Sequence, residues 1–307
     1  MLSERGPDEP YSHYAAMNAG SLSTFFSVCE YIAHTVALAI DEGDAAGVRA
    51  LRWALDVHDG LLERGGPPGS QHDLALDLLL VRERADLLRL GWRELRGSAG
   101  LRPLLEDQRA RLETLDIRGW LRRGSLGERL LLDESYRRAA SGNGEPVNGL
   151  GRLVLGALRL SIARGHALAW EASEDLLARI DAFGLDLHHP GSAADFTMPE
   201  PLDWDLVGCL IWPVLGAFTE EAALAERERR LALVALVAVL DGEERLDDAL
   251  DRWRDPLTGE RFVVGKDDTG RPVLTPASET LADARLEESI VEVGDGDVGR
   301  IGWPLEG

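Results

Sequence analysis

The sequence predicts a mainly α-helical protein built from stacked antiparallel helical hairpins, with a small β-hairpin element near the C-terminus. Two features predict this fold class. Apolar residues recur at spacings of three and four through most of the first 240 residues, which is the period of helices that bury one face. After residue 260, two short apolar runs flank a turn rich in Asp and Gly, a pattern typical of a β-hairpin.

The first helical hairpin is predicted between residues 21 and 62. Its first helix, at 21–40, carries apolar residues along one face: Phe25, Cys29, Ile32, Val36 and Ile40. Gly43 can end this helix, and Asp44 can cap the next one. Because so short a turn joins the two helices, they are expected to lie antiparallel.

The same periodicity predicts further helices, at residues 73–96, 103–115, 118–138, 150–169, 171–183 and 204–240. In the helix at 73–96, leucines occupy one side and Arg and Glu residues the other. The stretch at 64–71 contains Gly-Gly and Pro-Pro, which cannot continue a helix, and is a predicted loop. Trp303 is expected to dock the end of the chain onto the helices.

The polar loop at residues 141–149 is the predicted boundary between two helical regions. We expect an N-terminal helical-hairpin region at 1–140, a helical region at 150–250 and a small β-containing tail at 251–307. The tail holds predicted strands at 262–265 and 272–275. With 307 residues, the three regions are expected to form one continuous globular unit.

The charge of the chain excludes one broad class of function. The sequence has 54 acidic and 33 basic residues, a formal net charge of −21, so it does not predict a general nucleic-acid-binding protein. The N-terminus lacks the features of a signal peptide, and the apolar runs are too short to span a bilayer. We therefore expect no membrane span and a cytoplasmic location.

The densest group of potential metal ligands lies in an irregular segment after residue 184. It combines imidazole and carboxylate groups: Asp186, His188, His189 and Asp195. A loop can bring such groups onto a divalent metal ion, which makes a metal-binding protein or metal-dependent enzyme the alternative function. Two facts weigh against a metal site here: adjacent histidines are expected to point in different directions, and acidic residues are abundant throughout the chain.

The main functional expectation is a non-enzymatic protein-binding adaptor or complex subunit without a cofactor. The sequence contains neither a GxSxG nucleophile motif nor a P-loop, and both Cys29 and Cys209 lie in apolar surroundings. Stacked helix pairs expose grooves that bind other proteins. Residues 91–166 contain 14 arginines against 9 acidic residues, which can mark a surface for an acidic partner or for the acidic remainder of this chain.

The segment Asp255-Pro256-Leu257-Thr258-Gly259 predicts a structural turn. Proline fixes its own φ angle, and an aspartate before it can accept hydrogen bonds from backbone amides ahead. Thr258 and Gly259 then complete the reversal and start the first predicted strand. These four positions, Asp255, Pro256, Thr258 and Gly259, are expected to be structural.

With the helix before it, this turn resembles the DP-[FL]-TG element of a set of uncharacterised bacterial helical proteins. The C-terminal part of those proteins is similar to the globular part of type II secretion major pseudopilins. The resemblance implies a helix, a turn and a small antiparallel sheet. In this chain Gly242-Glu-Glu-Arg-Leu stands where the pseudopilins have a Gly-Arg-Tyr-Pro stretch. The acidic calcium-binding loop of the pseudopilins is not present in this sequence in the same form. Calcium binding and fibre assembly are therefore not carried over.

Overall fold

The computed structural model describes residues 21–65, 71–141, 149–196, 206–266, 272–276 and 303–305. These residues are mostly helical, which confirms the predicted fold class. The helices are α1 (Ser21–Asp41), α2 (Asp44–Gly65), α3 (Gln71–Leu95), α4 (Leu101–Thr114), α5 (Ile117–Ser141), α6 (Gly149–Phe183), α7 (Leu206–Asp241) and α8 (Leu246–Arg252). None of these described helices is both long and apolar enough to cross a membrane.

The chain divides into two compact units, each assembled from three separate segments. The first unit comprises Met1–Val28, Arg64–Leu78 and Asp116–Ala223. The second unit comprises Cys29–Glu63, Leu79–Leu115 and Leu224–Gly307. The three consecutive regions expected from the sequence stay a prediction.

In the second unit, the predicted α1–α2 hairpin forms with its core-facing residues nearly as expected. Cys29, Ile32 and Val36 are buried. Gly43 ends α1 with a φ of 123°, a backbone conformation that side chains rarely adopt. Glycine also lets α3 pack closely on α2, because a Cβ atom on Gly91 would lie 2.3 Å from Leu51 Cδ2 and the buried leucine would have to shift.

The first unit is organised around α5 and α6, which lie antiparallel along each other. Arg118 of α5 donates a hydrogen bond to the Asp181 carbonyl, and Arg129 pairs with Glu174, so later residues of α5 meet earlier residues of α6. The sequence predicted two helices at 150–169 and 171–183, which was wrong. A single helix spans this region, because the residues around Trp170 include neither proline nor glycine to break it.

A three-stranded antiparallel sheet belongs to the second unit. Its strands β1 (Val263–Lys266), β2 (Pro272–Thr275) and β3 (Trp303–Pro304) lie in that order. The two predicted strands are confirmed to within one residue, whereas their connecting turn lies outside the described residues. Trp303 pairs with Leu274 and is fully buried in the core, so it holds the end of the chain on this unit as expected.

Candidate functional site

The predicted turn at Asp255 is a compact corner closed by its own hydrogen bonds. The Asp255 Oδ1 atom accepts from the Leu257 amide at 2.9 Å, and the Asp255 carbonyl accepts from the Gly259 amide at 2.8 Å. The Asp255 amide donates to the Glu260 carbonyl at 2.9 Å, and the Glu260 amide donates to Thr258 Oγ1 at 3.3 Å. Gly259 has a φ of 73°, which explains the residue type at that position.

A buried ion pair anchors this corner to α7. The Asp255 side chain is fully buried, and its Oδ2 atom lies 3.1 Å from Nε of Arg227, which is also buried. Arg230, one turn of α7 further along, donates a hydrogen bond to the Arg254 carbonyl at 2.9 Å. Both carboxylate oxygens of Asp255 therefore face protein groups, an arrangement suited to holding the chain in place.

The loop with the candidate metal ligands places its histidines close together on the surface. The rings of His188 and His189 are 4.0 Å apart between centroids, and both residues are exposed. His189 also lies against the ring of Phe183 at 6.0 Å. The Asp195 carboxylate accepts a hydrogen bond from the Gly191 amide at 2.6 Å, which directs it towards its own backbone.

The described residues include no group of three or more His, Cys, Asp or Glu side chains that could hold a metal ion. Asp186 contributes its carbonyl to the loop, where it accepts from the His189 amide at 3.4 Å. The metal assignment for this loop stays a prediction.

A polar cluster lies inside the second unit, where the sequence indicated only apolar packing. The Arg84 side chain of α3 is 1% exposed and pairs with Asp59 of α2. Its Nε atom donates a hydrogen bond of 2.7 Å to Gln108 Oε1 on α4. Arg111 of α4 lies 2.8 Å from the second oxygen of Asp59. The cluster thus joins three helices through charged groups.

His58 lies beside this cluster and is buried without a hydrogen-bond partner for either ring nitrogen among the described residues. Burial and then the nearby Arg84 lower the pKa of His58, Asp59 opposes them, and together they bring this pKa to about 4. The imidazole is therefore neutral at physiological pH. Protonation of His58 would place a second buried cation beside Arg84, so the stability of the second unit should depend on acid pH.

An apolar surface lies on α1, on the side of the helix away from the core. Tyr31 is 68% exposed and Leu38 is 53% exposed. Because they are seven residues apart, two turns of the helix, they lie on the same side, with His34 between them. The three residues Tyr31, His34 and Leu38 are called the α1 face below.

Acidic residues flank the α1 face. Glu30 and Asp41 are exposed on α1, and Glu42 follows the helix directly. The face therefore combines two large apolar side chains with a negative surrounding. The apolar period of α1 predicted only the core-facing residues, and Tyr31 and Leu38 lie outside that period.

A second cluster with exposed aromatic surface lies on α5 and α6. The guanidinium of Arg129 lies 3.4 Å from the centre of the Trp170 ring, and the same guanidinium pairs with Glu174 at 2.8 Å. One turn away, His166 Nε2 lies 3.0 Å from Asp133 Oδ1, and its ring stacks on buried Tyr136. Trp170 nevertheless stays 39% exposed, held in one orientation by Arg129.

The chain matches no protein-family model, and neither a curated protein nor a solved structure shows significant similarity to it. The resemblance of the turn at Asp255 to bacterial helical proteins stays a prediction. Function is therefore inferred from the surfaces and contacts of the chain itself.

Proposed function

We propose that the protein is a non-enzymatic protein-binding component, an adaptor or a subunit of a complex, that docks a partner helix on the α1 face. The observation that carries this proposal is the exposure of Tyr31 and Leu38 on the side of α1 opposite Cys29, Ile32 and Val36. Two large apolar side chains that stay exposed on the same side of one helix are available together to a single binding partner.

The spacing of the two side chains favours a helical partner. Residues seven apart on one helix form the contact pattern that an amphipathic helix meets with its own apolar stripe. Tyrosine is also enriched among the residues that dominate binding energy, because its ring buries a large area at low entropic cost. Tyr31 is therefore the expected centre of the contact, and Leu38 extends it by two turns.

The charge around the α1 face favours a basic partner. Glu30, Asp41 and Glu42 flank the apolar residues, and the whole chain has a net charge of −21. Lysine or arginine residues beside the apolar stripe of a partner would meet these carboxylates, which raises the rate of association and excludes acidic helices. The proposed partner is thus a helix with an apolar stripe and basic flanks.

Two synthetic helices test this proposal directly. Both carry the same leucine stripe, one with lysine flanks and one with glutamate flanks, and their affinity for the full chain is measured by fluorescence anisotropy. We expect the lysine-flanked helix to bind more tightly. The variants Tyr31→Asp and Leu38→Asp should each weaken its binding at least about tenfold, since each places a charge in the apolar contact.

Leu130→Asp serves as the matched control, because Leu130 is 64% exposed on α5, outside the α1 face. It adds the same charge at an equally accessible leucine and should leave the affinity unchanged. Equal binding of the two synthetic helices would refute the basic partner. Unchanged binding in the Tyr31→Asp variant would refute the α1 face as the docking site.

A further inference from the structure

A pocket of about 230 Å³ lies in the second unit between α1 and α3, and it shares no residue with the α1 face. Its apolar wall contains partly buried Ala33 of α1, partly buried Leu90 of α3 and fully buried Leu87. The other lining residues are charged, and all of them belong to α3: Glu83, Asp86, Arg89 and Arg93. This space is called the α1–α3 pocket below.

The α1–α3 pocket exists because a stripe of long side chains on α3 faces a small residue on α1. Glu83, Leu87 and Leu90 are spaced by four and three residues, so they lie along one side of α3. Ala33 opposes them with a single methyl group, which is too short to fill the space. An apolar cavity of about 150 Å³ is enough to hold a benzene molecule, so this pocket has room for one aromatic ring with a short chain.

The charged residues of the pocket leave one carboxylate without a counter-ion. Arg89 pairs with Asp86 at 3.0 Å, and Arg93 pairs with its neighbour Glu94 at 2.5 Å. Glu83 forms no ion pair with any of the residues that the structure describes. The arginines of the pocket are therefore occupied, whereas the Glu83 carboxylate is available to a ligand.

The surroundings of Glu83 are also unfavourable for a lone carboxylate. Burial and then the charge of Asp86 raise the pKa of Glu83, Arg82 opposes them, and Glu30 of α1 raises this pKa further. Acidic groups on both helices thus act on the same partly buried site. A positive group beside Glu83 would be attracted by all three carboxylates, and an anion would be repelled by them.

We propose that the α1–α3 pocket binds a small organic cation. Its ammonium group pairs with Glu83, and an apolar body of about one aromatic ring packs against Ala33, Leu87 and Leu90. The two arginines do not select an anion instead, because each already has a carboxylate partner. A ligand of this size makes few contacts, so the expected dissociation constant is about 1 mM.

A titration of the full chain with benzylammonium tests this proposal, followed by NMR of the labelled alanine and leucine methyl groups. At neutral pH the amine is protonated, and the methyl signals of Ala33, Leu87 and Leu90 should shift and reach saturation. The same titration with benzyl alcohol, benzoate and phenylalanine compares a neutral, an anionic and a zwitterionic compound with the same ring.

Benzylammonium should bind at least about tenfold more tightly than benzyl alcohol, because a hydrogen bond to a charged group contributes more than a neutral one. Benzoate should bind more weakly than benzyl alcohol. Equal or tighter binding of any of the other three compounds would overturn the assignment to a cation. The absence of a saturable shift at ten times the expected dissociation constant would overturn the site itself.

Two variants separate the charge of the pocket from its space. Glu83→Gln keeps the size of the side chain and should weaken benzylammonium binding at least about tenfold, with benzyl alcohol unaffected. Ala33→Leu fills the pocket and should abolish the binding of both compounds. Glu106→Gln on α4 and Ala45→Leu on α2 make the same chemical changes at exposed positions outside the pocket and should leave both affinities unchanged.

Circular dichroism confirms that each variant keeps its helical content. Unchanged affinity for benzylammonium in Glu83→Gln would show that this carboxylate does not bind the ammonium group and would overturn the proposal. Binding that survives in folded Ala33→Leu would place the ligand elsewhere on the chain. An equal loss of affinity in Glu106→Gln would show attraction by the overall negative charge rather than by a pocket.

Discussion

Replacing Asp59 by alanine would leave the guanidinium of Arg84 buried without its carboxylate partner. Arg84 is 1% exposed, and burial lowers its pKa, an effect that the charge of Asp59 and the hydrogen bond from Arg84 to Asp59 oppose. After the substitution, Arg84 Nε would still donate its hydrogen bond to Gln108 Oε1. The amide oxygen of Gln108 is neutral, however, and cannot balance the positive charge of the guanidinium.

The expected loss follows from the burial of this pair. Removing one partner of a buried ion pair typically lowers the free energy of unfolding by about 3–5 kcal/mol. The Arg84 side chain is only 1% exposed, so this range applies to the pair of Arg84 and Asp59. Arg111 also loses its contact with Asp59, although it is partly exposed and water can replace that contact. Since whole domains are stable by only about 5–15 kcal/mol, the Asp59→Ala variant should lose a large part of the stability of the second unit.

Urea unfolding followed by circular dichroism measures this loss, with the variant Glu106→Ala as the control. Glu106 pairs with Arg102 at 3.1 Å, but both side chains are more than half exposed, so its removal should cost less than about 1 kcal/mol. Hydrogen exchange of amides in α2 and α4, compared with amides in α5 and α6 of the first unit, reports whether the loss is confined to the second unit.

A paired substitution separates the charge from the packing. Replacing both Asp59 with Leu and Arg84 with Met removes the buried charges together and should cost less than Asp59→Ala alone. If Asp59→Ala proves no more damaging than Glu106→Ala, the guanidinium of Arg84 is not held in a desolvated site and the reasoning is wrong.

Three further predictions concern pH and packing. The pKa of His58 is lowered from 6.5 to about 4, so on acidification the unfolded chain takes up the proton before the folded one. The free energy of unfolding, measured with urea, should therefore fall by about 3 kcal/mol between pH 6.5 and pH 4. The variant His58→Leu should show a weaker dependence of this free energy on pH. Asp77, in the first unit, has the opposite effect on the pH dependence of stability, because burial and then Asp73 raise its pKa from 3.8 to about 7. The free energy of unfolding should therefore fall as the pH rises from 3.8 to 7, and Asp77→Asn should abolish this decrease. Gly91→Ala should lower the thermal midpoint by overpacking α3 on α2, whereas Gly60→Ala, with open space around its Cβ position, should raise it.

Local patterns predicted much of the helical structure. The bounds of α3 and α5 lie within about three residues of the predicted ones, because apolar period and Gly or Pro breaks act within a few residues of chain. The turn at Asp255 is equally local, since its hydrogen bonds join residues at most five positions apart. The core-facing residues of α1 also followed from period alone.

The buried polar cluster and the exposed apolar surfaces could not be predicted from the sequence. The arginines of α3 were all expected on the solvent side, yet Arg84 is buried, because its partner Asp59 is 25 residues away on α2. The apolar period of the predicted helices indicates one buried face, yet Leu160 and Trp170 of α6 are exposed. Nothing in the period of a helix distinguishes an apolar residue of the core from one on a second, exposed stripe.

The sequence by itself determined most helix bounds, which face of α1 carries the core residues, and where the chain turns into its small sheet, although it divided α6 in two. Those properties depend on backbone preferences and on neighbours within one or two helical turns. The tertiary structure decided which charged groups are buried, that Trp303 pairs with β2, and which apolar residues stay exposed. Burial is a property of contacts between distant segments, and only their packing determines which surfaces remain available to a partner.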